Sequence, residues 1–98
     1  MIKREDFIFT VGYQGDTAIV NGELKGRYGK LQSVALAEKG LFKPAVCSAL
    51  FDKNEDDLAE VLSIYNKHID KPLNSPADLK KTLGVTDVPD GIMKISII

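Results

Sequence analysis

The chain has 98 residues, 44% hydrophobic and 28% charged, a globular composition that excludes disorder and suffices for one compact domain over 1–98 but not for two. Lys plus Arg is 13 and Asp plus Glu is 14, a net charge of -1, which speaks against a dedicated nucleic-acid binder or a polybasic membrane-surface protein. The single cysteine, Cys47, excludes an internal disulfide and a zinc site built from several cysteines, and fits a reducing, cytoplasmic compartment.

No apolar run approaches the ~20 residues of a membrane span, and Met1 to Asp6 lacks the apolar stretch of a signal peptide. A chain of this size buries roughly 65% of the surface its unfolded form exposes, so neither metal nor cofactor is required for folding and none is expected.

Phe7, Phe9 and Val11 alternate with Ile8, Thr10 and Gly12, the two-residue period that predicts a half-buried strand from Phe7 to Val11. Tyr13-Gln14-Gly15-Asp16 supplies a turn, and the β-branched run Thr17 to Val20 completes a β-hairpin that Asn21-Gly22 ends. From Gly22 to Lys30 a basic, glycine-rich loop is expected. Ser33 is then the predicted N-cap of a short helix ending at Lys39, with Gly40 as its left-handed terminator and Leu36 touching Leu41. Pro44 opens a second helix at its first position, running to about Asp52.

The third helix carries the clearest signals. Asn54 caps it, and Glu55, Asp56 and Asp57 sit at the positive end of the dipole. Lys67 and His68 fall in its last turn, and Leu58, Val61, Leu62, Ile64, Tyr65 and Ile69 form one stripe. Ser75, Pro76 and Asp78 start a fourth helix, with Leu79 and Leu83 on its buried face and Gly84 at its end. After the turn Val88-Pro89-Asp90-Gly91, Ile92 to Ile98 reads as a strand with Met93, Ile95 and Ile97 on one face and Lys94 and Ser96 on the other. A lone hairpin is marginal, so this strand is expected to join it. The class is α+β: an N-terminal β-hairpin joined by the C-terminal strand into a small antiparallel or mixed sheet, packed against about four helices.

Strand, glycine loop, Gly29-Lys30 and helix follow the order of a phosphate-binding P-loop, but Leu24 stands where its first glycine belongs and Leu31 where its hydroxyl belongs. What survives is a basic loop whose Lys25, Arg27 and Lys30 are candidate anion or partner contacts, with Tyr13 and Tyr28, each in a glycine-flanked loop, as candidate aromatic anchors. Residues 33–50 resemble a degenerate helix-turn-helix with Gly40 in its turn. Its second helix offers only Lys43, Cys47 and Ser48 as polar groups, of which Lys43 and Ser48 are the candidate nucleic-acid contacts. Cys47 and His68 are the sole thiol and imidazole, and nothing in the spacing brings them together as a nucleophile and its base. The acidic run from Asp52 to Glu60 lacks the ligand pattern of a calcium loop and is explained by helix capping.

These readings imply a small non-enzymatic protein that contacts an unidentified protein partner through the hairpin, the basic loop and the two tyrosines. The alternatives are nucleic-acid binding through residues 33–50 and an anion- or nucleotide-responsive module through residues 22–30. Strands this poor in charge and proline also predict a homodimer through an unprotected sheet edge.

Overall fold

In the computed structural model, which describes residues 2–98, the chain begins with a short helix, α1 (Arg4–Ile8), where a strand was expected. Phe7, Ile8 and Phe9 are all buried. A strand with one wet face cannot bury three consecutive side chains, whereas a helical turn running into the sheet directs all three inward. The alternation therefore becomes a strand only at β1 (Thr10–Gln14), which pairs antiparallel with β2 (Thr17–Val20) across the two-residue Gly15-Asp16 turn. The register slips between Thr10 and Gly12, so Val11 is bulged out into solvent.

The expected glycine loop is also helical. Asn21 caps α2 (Gly22–Tyr28) by accepting from the Leu24 amide at 3.1 Å. Glycine inside a helix costs ~1 kcal/mol relative to alanine. The cap, together with Leu24 and Tyr28 packing one turn apart against the core, outweighs that cost here. Gly22 has a steric role, since a Cβ there would lie 2.5 Å from the Ile97 side chain.

In α3 (Ser33–Glu38) the cap position belongs to Gln32, and Ser33 lies inside the first turn, fully buried. The end of this helix matches expectation: Gly40 takes φ +80°, its amide donates to Ala37 O at 2.9 Å, and the Leu41 amide reaches back to Leu36 O at 3.0 Å. That pair of bonds is a Schellman closure. In α4 (Phe42–Phe51) Pro44 is the third residue and not the first, still within the turn whose amides need no partner.

α4 is the centre of the molecule. Five consecutive residues, Ala45 to Ala49, are buried, because α1, α3, α5 (Glu55–Asn66) and α6 (Pro76–Leu83) all pack on it. Its small side chains let those neighbours approach closely. Asn54 and Ser75 cap α5 and α6 through the amides of Asp57 (3.0 Å) and Asp78 (3.2 Å), as expected. α5 ends at Asn66, whose side chain bonds both the N–H and the C=O of Leu73, so Lys67, His68 and Ile69, expected within the helix, lie beyond its last residue.

The last strand, β3 (Lys94–Ile97), runs parallel to β2 and completes a mixed sheet in the order β1-β2-β3. Parallel pairing follows from topology, since all the helices from α2 to α6 lie in the crossover between the two strands. Ala18 and Val20 of β2 are wholly buried, and the buried residues of sheet and helices form one cluster. The α+β class and the three-stranded sheet stand as expected, with six helices among the described residues, four of them of seven or more residues. No helix among the described residues is long and apolar enough to cross a membrane.

Candidate functional site

The cations of residues 22–30 are largely occupied. The Lys25 ammonium sits 2.6 Å from the carboxylate of buried Asp6, and Arg27 pairs with Glu23 one turn away at 3.6 Å. Both lie in the last turn of α2, where positive charge complements the helix dipole. The Leu24 amide is bonded to Asn21 and the Gly22 amide to Ile98 O, so neither is free to hold an anion. Lys30 is exposed with no ion pair among the described residues, and Tyr28 is half-buried against the core.

Three residues that the sequence treats separately come together. Tyr13, Lys43 and Cys47 line a cleft of about 180 Å³ with Phe7, Thr10, Val85 and Thr86. Burial pushes the Cys47 thiol up to about 11, a shift that the nearby Lys43 charge only partly offsets. The Tyr13 hydroxyl is also raised, first by burial and then by the charge a Cys47 thiolate would carry, against the Thr10 hydrogen bond that lowers it. A thiol held protonated at neutral pH is a poor nucleophile. His68 is not there to activate it: its ring packs at a tilt against Phe42, 5.8 Å between centroids, and it does not line the cleft. The volume is below the ~300 Å³ at which small-molecule sites begin.

Ser48, expected on the polar face of a recognition helix, is instead in the core. It accepts a hydrogen bond from Arg4 Nη2 at 2.7 Å and lies 3.3 Å from the Ser33 hydroxyl. Arg4 also donates to the carbonyls of Gly29 (2.9 Å) and Leu31 (2.6 Å), and its Nε lies 3.9 Å from Asp52. Of the ten residues of α4 only Lys43 is exposed, so this helix presents one cation and no polar row to a groove. No cluster of three His, Cys, Asp or Glu suited to a metal exists among the described residues.

The largest departure from ordinary surface chemistry is on the sheet. The exposed large hydrophobic residues are Val11 (55%), Tyr13 (40%), Met93 (79%), Ile95 (39%), Ile97 (55%) and Ile98 (70%). Every one lies on β1, on β3 or beside β3. Ile95 and Ile97 stand opposite Ala18 and Val20, on the core side of the sheet, but β3 overhangs the core and leaves them half covered.

The backbone of β3 is equally open. Lys94 donates to Asp16 O (3.2 Å), Ile98 donates to Val20 O (3.0 Å), and Ile98 O accepts from Gly22 (3.2 Å). In a parallel ladder alternate residues bond the same neighbour, so Lys94, Ser96 and Ile98 face β2, while Ile95 and Ile97 direct their N–H and C=O groups to the outer edge. The alternation of the last strand was legible in the sequence. That it would lie at an edge, overhanging the core, depends on strand order, for which the sequence carries no local signal. No family model, curated protein or solved structure matches the chain.

Proposed function

We propose that this chain is a non-enzymatic, cytoplasmic protein-interaction module whose contact surface is the open edge of the sheet, centred on β3. One observation carries the reading: among the described residues the exposed large hydrophobic side chains are gathered on the sheet, four of the six on β3 or next to it, and no described residue pairs with the outer backbone edge of β3. Such an edge binds an extended segment by β-addition, in which main-chain hydrogen bonds give affinity and alternate side chains give selectivity. Lys94 is the only charge on the strand, and proline and bulges, the usual protections of an edge, are missing from it. Tyr13, a candidate contact from the sequence, lies on β1 at the opposite edge of the sheet; Lys25 is held by buried Asp6, and Arg27 pairs with Glu23 while both stay exposed. The protonated state of Cys47 and the separate location of His68 support the non-enzymatic part.

The test compares proteins retained from the source cell by the immobilised chain and by the double variant Met93→Lys, Ile98→Lys. Both side chains are mostly exposed, so the fold is kept. Loss of a specific retained protein from the variant is the expected result, and identical retention by both would refute the surface assignment.

A further inference from the structure

We infer that the occupant of the β3 edge is a second copy of this chain, paired antiparallel about a two-fold axis through Ser96 to make a continuous six-stranded sheet. This rests on the interaction reading above and names its partner.

Register decides the matter. A two-fold normal to the sheet keeps each face on its own side, so only residues of like parity can stand opposite one another. The outward N–H and C=O groups belong to Ile95 and Ile97. With the axis at Ser96, Ile95 stands opposite the partner's Ile97 and the partner's Ile95 opposite Ile97. All four outward donors and all four outward acceptors on the two strands are then satisfied.

Moving the axis to Ile95 would place Met93 opposite the partner's Ile97, and the Met93 amide is already spent on Asp16 O at 2.8 Å. Residues 95–97, Ile-Ser-Ile, read the same in both directions, as an isologous contact requires. Apolar side chains then meet apolar side chains on the core side, and the serine hydroxyls meet on the outer side.

Charge points to the same register. The strand's only charge, Lys94, lies opposite the partner's Ile98, so the two lysines stand about 14 Å apart, beyond a Debye length at physiological salt. A contact through four-residue strands is smaller than the ~1,200 Å² of a standard interface, so the dimer is a weak one.

The geometry gives a specific cross-link. Ser96 would be a non-hydrogen-bonded pair with Cα atoms about 4.5 Å apart, within disulfide reach, whereas residues at position 94 would be too far apart. In the purified full chain, Ser96→Cys is expected to form a disulfide dimer under mild oxidation while Lys94→Cys and the parent chain, whose Cys47 is buried, do not. Sedimentation velocity from low micromolar to millimolar concentration is expected to show the parent chain shifting from one to two chains. Ile95→Pro removes an outward N–H that the ladder with β2 does not use, and Ser96→Lys sets two cations face to face; each is expected to weaken the dimer at least tenfold, with the circular dichroism of the parent retained. A mass of one chain at every concentration, with Ser96→Cys cross-linking no faster than Lys94→Cys, would overturn the dimer. If the Met93→Lys, Ile98→Lys variant still lost a cellular partner, the interaction module would stand without it.

Discussion

Cys47 shows how far its surroundings decide what a side chain can do. Its thiol is pushed up to about 11 by burial, with Lys43 and Tyr13 facing the same cleft. The folded value lies above the unfolded one, so ionisation favours the unfolded chain once pH passes the ordinary thiol value of 9.0. Stability is therefore fully present below about pH 9 and falls as pH rises toward 11, by on the order of 2 kcal/mol. Urea unfolding between pH 8 and about 10 should show this slope, and Cys47→Ala should flatten it. A different expectation attaches to the ion pair beneath α2. Lys25→Met would leave the buried Asp6 carboxylate without its cation and should cost about 2 kcal/mol. Asp6→Asn should cost about half as much, because the freed ammonium, already partly exposed, can turn to water. Equal losses in urea unfolding would mean that the carboxylate finds another partner.

Between elements, Arg4 acts as the tie. Its guanidinium reaches from α1 to the carbonyls of Gly29 and Leu31 and to Ser48 of α4, three acceptors that a single ammonium cannot span. Arg4→Lys should lose about 2 kcal/mol and recover little relative to Arg4→Ala, measured by thermal or urea unfolding. The same tie explains what the sequence conveyed and what it did not. Elements fixed by local chemistry were legible: the Asn54 and Ser75 caps, the Gly40 closure of α3, and the stripe of α5 each depend on residues within a few positions. Elements fixed from a distance were not. Phe7, Ile8 and Phe9 are all apolar, so the period read through them could not show which faces are buried; their three consecutive burials come from packing against α4 and the sheet. α2 has glycine at two of its seven positions and is held by Asn21, Leu24 and Tyr28 against the core. For the site, the apolar face of the last strand was visible in the sequence. The commitment of Lys25 to Asp6 and of Ser48 to Arg4 spans 19 and 44 residues and had no local trace.

At the scale of the whole molecule, charge is unevenly distributed along the sequence. Between Leu24 and Lys43 five cations face one anion, and between Asp52 and Glu60 five anions face one cation. No ion pair among the described residues joins the two stretches; Lys25 goes to Asp6, Arg27 to Glu23, and Asp52 faces Arg4. Attraction between these stretches is the alternative to the proposed β3 pairing as a mode of self-association, and salt separates the two. Attraction between the basic stretch of one copy and the acidic stretch of another works through exposed charges, so it strengthens at about 0.01 M salt, where the Debye length is ~30 Å, and fades at about 1 M, where it is ~3 Å. The β3 pairing draws on backbone hydrogen bonds and isoleucine contacts, and its only charged residue, Lys94, repels its counterpart weakly from the far end of the strand. Its dissociation constant is expected to stay within about threefold across that range, with any drift toward tighter binding at high salt. Sedimentation equilibrium at the two salt concentrations measures this directly. A dimer present at low salt and gone at 1 M would assign self-association to the charged stretches, and the β3 edge would then be free for a different protein.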